Sequence, residues 1–266
     1  MIQIRCVIEN LVYKSGLIAE HGLSVYIETQ NHKLLFDTGQ TNNFLHNARQ
    51  MNIPIADVDA VIISHGHYDH TGGLYSFLWE NQKAKVYLKS DAILPKFKNN
   101  KPIGMPNLPA HFEQRFQFVT QPLSFDNVVH IMPRIGIVDS SDTHWRGFQI
   151  ETTNGREADF VEDELYVAIT NQHKLSVLSS CSHRGITNIL QSAIQAFPLP
   201  ISTIIGGFHL KDSHATESNA IINSFKLINP EQIGVCHCTG VEQFANFKAA
   251  LPQSVFYFST GMQITL

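Results

Sequence analysis

Ser64-His65-Gly66-His67-Tyr68-Asp69-His70-Thr71-Gly72-Gly73 is the stretch on which the reading of this chain turns. Three histidines and an aspartate fall between positions 65 and 70, directly behind Asp59-Ala60-Val61-Ile62-Ile63-Ser64. A short, continuous apolar run of that kind marks a strand buried on both faces. In extended chain, residues i and i+2 project to the same side, so His65 and His67 can reach one metal ion together. Asp69 and His70 fall where the chain turns and can face a second ion. Imidazole and carboxylate donors suit zinc, iron or manganese. Gly66 leaves room beside the donors, and Gly72-Gly73 lets the chain turn tightly into a helix expected from Gly73 to Glu80. A lone histidine is more often a hydrogen-bonded loop residue. Four donor residues at H-x-H-x-D-H spacing behind a strand point instead to a metal.

Upstream, Ser24-Val25-Tyr26-Ile27-Glu28 and Lys33-Leu34-Leu35-Phe36-Asp37 flank Gln30-Asn31-His32, a hairpin signal. Asp37-Thr38-Gly39 breaks the second strand, and the spacing of Phe44, Leu45 and Ala48 predicts a helix from Asn42 to Met51. Met1 to Ile8 alternates like a strand. Downstream, Lys85 to Leu88 reads as a strand, and then periodicity weakens from Ser90 to about Asp163, where six prolines punctuate the chain. Irregular stretches of that length are often binding loops or lids. After Asp163 the rhythm returns. Strands are expected at 165–170, 175–180, 201–206, 233–236, 255–258 and 262–265, with helices at 186–197, 215–228 and 241–251. Strand pairs mixed with strand–helix units imply an α/β layered architecture, which we read as one domain over residues 1–266 with an insert at about 90–163 near the site.

Composition narrows the function. The chain has 266 residues, 43% hydrophobic and 16% charged, enough for a sizeable core, with a formal charge of -4 and fourteen histidines. No polybasic surface for nucleic acid is indicated. The N-terminus lacks the basic start and apolar stretch of a signal peptide, and no apolar run is long enough to span a bilayer. Cysteines at 6, 181, 236 and 238 make no disulfide framework for a chain of this size. The expectation is a reduced, cytoplasmic protein that binds a small molecule, with no nucleic acid or membrane partner and with homo-oligomerisation left open.

The H-x-H-x-D-H motif, together with Leu35-Phe36-Asp37-Thr38-Gly39, resembles the signature of the metallo-β-lactamase superfamily, and the resemblance runs from Gly22 to Gly240. It implies an αββα sandwich with metals at a sheet edge, and Asp37 supporting the metal-bearing loop through hydrogen bonds. The family normally adds a histidine, a bridging aspartate and a final histidine. Here the strand at 175–180 ends in Cys181-Ser182-His183-Arg184-Gly185, with Cys181 where the aspartate is expected. His183 is taken to complete the first ion's set, and Cys181 to bind the second or only line the site. His237, in Cys236-His237-Cys238-Thr239-Gly240, fits the last ligand. A structural zinc on Cys236 and Cys238 is the competing reading and lacks a second cysteine pair. His209, in Gly206-Gly207-Phe208-His209-Leu210, is a candidate ligand, acid/base group or substrate contact, with the latter two roles favoured. Those motifs and Glu20-His21-Gly22-Leu23-Ser24 look like the branch named after dihydropterin–ribofuranosylaminobenzene phosphate synthase, and His21 is a candidate substrate contact.

The resemblance implies a hydrolase with two divalent ions, zinc first and manganese or iron as alternatives, using a metal-activated water on a small ester, phosphoester or heterocycle. Asp69 orients the water, and His209 or His21 donates a proton to the leaving group. Lys96, Lys98, Lys101, Arg115, Arg134, His144, Trp145 and Arg146 in the insert suit a phosphate and a planar ring such as a pterin. Two rivals are a non-catalytic sensor on the same fold and a di-iron redox protein, the latter usually fused to a flavodoxin domain that this chain lacks.

Overall fold

The alternating N-terminal stretch forms the strand Gln3–Ile8, and the expected hairpin pairs Ser24–Glu28 with Lys33–Phe36, Glu28 opposite Lys33. A computed structural model describes residues 1–266 and divides into two compact units. The first comprises Met1–Thr120, Gly147–Asp163 and Ser259–Leu266; the second comprises Gln121–Arg146 and Glu164–Phe258.

The first unit is built on a seven-stranded sheet in the order Gln263–Thr265, Gln3–Ile8, Ser24–Glu28, Lys33–Phe36, Ala60–Ile62, Lys85–Leu88, Phe116–Phe118. The first four strands are antiparallel neighbours, and the last four pair in parallel. Parallel neighbours need crossovers, which the helices Asn43–Gln50 and Leu74–Glu80 supply. Phe44, Leu45, Ala48, Leu74, Phe77 and Leu78 of these helices pack with Tyr26, Leu35, Val61 and Val86 of the sheet. The residues between 90 and 163 hold only short strands and 3-10 turns. Four of those strands, Gly155–Ala158, Phe148–Thr152, Lys96–Lys98 and Lys101–Pro102, form a separate small sheet of the first unit. At two to five residues they are too short to show a period in sequence.

The second unit has its own seven-stranded sheet, ordered Val255–Tyr257, Gln232–Val235, Ile201–Gly206, Lys174–Leu178, Tyr166–Asn171, Val129–Met132, Leu123–Phe125. Its first four strands are parallel and its last four antiparallel. The helices Ile186–Ala196, Ala215–Ile228 and Val241–Ala250 bury Ile189, Leu190, Ile221, Phe225 and Phe247 against Val177, Ile204 and Val235. Ala215–Ile228 starts on a capping box between His214 and Glu217 and ends at Asn229 in the left-handed region, φ 55. Each unit is thus an α/β layer pair, as the alternation of elements predicts. No helix is long and apolar enough to cross a membrane.

Candidate metal centre

Asp37 anchors the first unit's cluster of donors. It follows the parallel strand Lys33–Phe36, is fully buried, and lies in the left-handed region at φ 60. Its Oδ1 accepts the Ser64 N–H at 2.7 Å, and its Oδ2 accepts the Ser64 hydroxyl at 2.7 Å and faces His70 Nδ1 at 2.9 Å. Because the Ser64 hydroxyl donates to Asp37, the 2.8 Å contact between Ser64 Oγ and His65 Nδ1 takes its proton from the ring. One buried carboxylate therefore fixes a proton on Nδ1 of both His65 and His70, leaving Nε2 of each as the nitrogen turned to a cation.

Those nitrogens meet further donors. His65 Nε2 lies 3.0 Å from His67 Nδ1, and His70 Nε2 lies 3.4 Å from Asp69 Oδ2. Two ligands about 2.0 Å from one tetrahedral ion stand about 3.3 Å apart, so both pairs have the spacing of donors to a shared cation. Imidazole with carboxylate also matches the chemistry of zinc. The donors fit a metal. Burial holds His65 well below the ordinary imidazole value, helped by the His67 and His70 rings, and burial pushes His67 down to about 3. Both are thus in the neutral, ligating form. Burial opposes charge on His70 as well, but Asp69 and Asp37 outweigh it and the ring is pushed up to about 10. A cation at Nε2 would replace that proton. His21, half-exposed, reaches Asp69 Oδ2 at 3.2 Å, so the loop before Ser24–Glu28 does meet the motif.

Two glycines accommodate close approach. A Cβ on Gly66 would lie 2.1 Å from the Ala92 carbonyl, and one on Gly72 would lie 1.9 Å from that of Gln40. Gly72 has an ordinary helical φ of -64, so what it supplies is space. Asp69 and His70 sit in the one-turn helix Tyr68–Thr71.

The insert grips the motif from a side the sequence did not reveal. Gly66 N–H donates to Asp163 Oδ2 at 2.7 Å, and Tyr68 N–H donates to Ile103 O at 2.9 Å. Lys96, expected as a phosphate contact, is fully buried and donates to Asp159 at 2.7 Å and Asp163 at 3.0 Å. Burial opposes its charge, but the two aspartates hold its pKa above the ordinary value. Arg115 is likewise spent on the structure, donating to the carbonyls of Ala84, Leu78 and Asn81. Burial corrects the expectation for Lys96 and three backbone carbonyls correct that for Arg115, and tertiary packing decides both.

In the second unit, candidate residues again follow parallel strands. Cys181, His183 and His209 offer ligand atoms within 4.8 Å of one another. The His183 and His209 ring centroids are 4.5 Å apart, and His144 lies 5.5 Å from His209. Ser182, His209 and His237 adopt φ of 55, 50 and 51, a conformation that costs a side-chain-bearing residue about 1 kcal/mol and gathers at functional turns. Buried Glu164 holds the His183 turn, accepting the N–H groups of His183 at 2.8 Å and Arg184 at 2.7 Å. Sequence reasoning missed Glu164; the adjacent acidic pair Asp163-Glu164 entering an apolar strand was the available signal. The Cys238 thiol donates to the Cys181 carbonyl at 3.5 Å, and although burial opposes it, Cys181, His237 and His209 hold its pKa well below the usual value.

Residues 17–109 match the family model described as the metallo-beta-lactamase superfamily. The chain is also 30% identical over 253 residues to a 7,8-dihydropterin-6-methyl-4-(beta-D-ribofuranosyl)-aminobenzene-5'-phosphate synthase of Methanocaldococcus jannaschii, covering 86% of this chain and 84% of the relative. The chain belongs to the metallo-β-lactamase superfamily. Among solved structures, it is similar to Tm1679, described as a metal-dependent hydrolase of the beta-lactamase superfamily, with TM-score 0.88, 28% identity, and coverage of 100% of this chain and 99% of that one. The metallo-beta-lactamase fold protein YhfI of Bacillus subtilis aligns at TM-score 0.60 and 14% identity over 99% and 98% of the chains, a likeness of fold. The α/β metallo-β-lactamase fold expected from the motif is therefore the fold of this chain.

Proposed function

We propose that the chain is a metal-dependent hydrolase acting on a small ester, phosphoester or heterocyclic substrate. The observation that carries this reading is the pair of facing donor sets, His65 with His67 and Asp69 with His70, aligned through Asp37. Following the family's ligand pattern, we assign His65, His67 and His183 to one divalent ion and Asp69, His70, Cys181 and His237 to another, with zinc as the metal and the whole chain as one metallo-β-lactamase domain. Such ions supply a nucleophile from water at neutral pH and stabilise charge on the substrate oxygen. Asp69, held by His70 and His21, orients the attacking water. His209 donates the proton that the leaving group needs, and His21 contacts the substrate.

For the substrate class, the relative named as a synthase of a dihydropterin aminobenzene phosphate points to a phosphorylated, pterin-like small molecule. Trp145 is the aromatic of the second unit suited to such a ring, with the Arg184 guanidinium 5.5 Å from its centroid. A reducing cytoplasm suits its four cysteines, none of them in a disulfide. That relative's name is a synthase rather than a hydrolase, so the test must separate metal binding from turnover. Metal content is measured on the wild type and on His67→Ala, alongside activity on bis-p-nitrophenyl phosphate and a thioester. About two equivalents of zinc or manganese, lost together with activity in the variant, is the expected result. Bound iron without hydrolysis would favour a redox protein; full metal without turnover would favour a sensor; no bound metal would sink the reading.

A further inference from the structure

His21 lies between strands and its side chain is half-exposed, yet the residues on both sides of it are locked. The Glu20 carboxylate is gripped by the turn that leads into the helix Asn43–Gln50. Its Oε1 accepts the N–H groups of Gln40 and Thr41, both at 3.0 Å. Its Oε2 accepts the Thr41 hydroxyl and, at 2.9 Å, the Asn43 side-chain amide. A negative group is favoured at the start of a helix, so this carboxylate ties the His21 segment firmly to the helix entry. On the other side of His21, Gly22 N–H donates to Asn10 Oδ1 at 3.3 Å, and Leu23 N–H donates to the Asp69 carbonyl at 3.3 Å. Gly22 has φ 145, and a Cβ on it would lie 2.4 Å from that same carbonyl. Only glycine therefore lets the segment lie this close to the H-x-H-x-D-H motif.

Asn10 then settles the tautomer of His21. Its side-chain oxygen takes the Gly22 N–H, so its NH2 group is the end turned to His21 Nδ1, at 3.4 Å. An NH2 group only donates, so Nδ1 accepts and the neutral ring carries its proton on Nε2. That nitrogen lies 3.2 Å from Asp69 Oδ2, the oxygen that also faces His70 Nε2 at 3.4 Å. We propose that Glu20 and Asn10 are positioning residues, which together hold His21 as an Nε2–H donor to Asp69. Glu20 sets where the ring stands, and Asn10 sets which of its nitrogens carries the proton. A carboxylate oxygen has lone pairs for more than one partner, so the His21 N–H orients Asp69 while leaving it free to face His70 and a cation. The donor arrangement stands on these contacts. Its effect on turnover rests on the hydrolytic reading above, in which Asp69 orients the attacking water.

The test uses the full chain, stripped of metal and isotopically labelled in its histidine rings. Long-range proton–nitrogen correlation spectra tell the two tautomers of a neutral ring apart, and His21→Gln assigns the signals. The wild type should show His21 protonated on Nε2. Asn10→Asp keeps an acceptor for the Gly22 N–H but offers Nδ1 only another acceptor, so the proton should move to Nδ1. Glu20→Ala should give a mixture of both tautomers. On the zinc-loaded chain, with bis-p-nitrophenyl phosphate, each variant should lose on the order of tenfold to a hundredfold in turnover, most of it in kcat rather than KM. A wild-type ring protonated on Nδ1, or a mixture there, overturns the proposal, and that spectrum needs no variant that folds. An unmoved tautomer in Asn10→Asp removes Asn10. A lower melting temperature in Glu20→Ala with the wild-type tautomer and kcat makes Glu20 merely structural and removes it. The two readings fail separately. The Nε2–H tautomer without hydrolysis in any preparation leaves the donor arrangement and removes the hydrolase, whereas hydrolysis with the other tautomer does the reverse.

Discussion

Asp37 shows how much a single side chain organises here. With both oxygens committed to Ser64 and His70, it dictates which ring nitrogens carry protons. The strand-ending D-T-G made its role legible in the sequence; the tautomers it enforces were not, because they depend on Ser64 Oγ bridging to His65. The opposed shifts of the three histidines give a pH signature in the metal-stripped protein. His65 and His67 have folded values below that of a free imidazole, so as pH falls below 6.5 the unfolded chain takes up protons that the folded chain refuses. Stability then drops by up to about 1.4 kcal/mol per pH unit for each group. His70, pushed up to about 10, behaves oppositely: its contribution is complete below 6.5 and is lost as pH rises through 10. The melting temperature of chelated protein should therefore peak near neutral pH, and the alkaline decline should flatten in His70→Gln. An unchanged alkaline limb in that variant would refute the protonated His70.

At the scale of elements, the insert is a clamp. The strand Lys96–Lys98 carries a buried ammonium to Asp159 and Asp163, and Asp163 in turn holds the backbone of Gly66 between two candidate ligands. Lys96→Met would strand two buried carboxylates, a change that typically costs about 3–5 kcal/mol. A fall in melting temperature of about 10 °C is expected on that basis, with weaker zinc retention in a chelator competition. A variant that melts like the wild type would mean that Lys96 is dispensable. The helices and long strands around this clamp were legible because each repeats an apolar period over four or more residues. The insert's strands were illegible because the longest has five residues and one of its two partners, Lys96–Lys98, lies far back along the chain.

Within each unit of the whole molecule, chemistry collects behind the carboxyl ends of parallel strands. Asp37 and the H-x-H-x-D-H motif follow Lys33–Phe36 and Ala60–Ile62, while Cys181, His209 and His237 follow Lys174–Leu178, Ile201–Gly206 and Gln232–Val235. Open α/β sheets place ligands at such ends. A metal bound by the folded chain and not by the unfolded one stabilises by mass action, about 2.7 kcal/mol at a hundredfold excess over Kd. Added zinc should therefore raise the melting temperature of the wild type in a concentration-dependent way and move His67→Ala much less. Equal shifts in the two proteins would place the bound zinc elsewhere.

The sequence alone determined the family and the candidate donors, because H-x-H-x-D-H, C-S-H and C-H-C-T-G are local patterns whose meaning travels with their spacing. It also determined the regular elements, since a strand or helix writes its period into neighbouring residues. Tertiary structure alone decided that Lys96 and Arg115 are structural, that Glu164 and Asp163 hold the loops, and that Cys238 meets Cys181. Each of those depends on burial and on contacts between residues distant in the chain, and no local period records either.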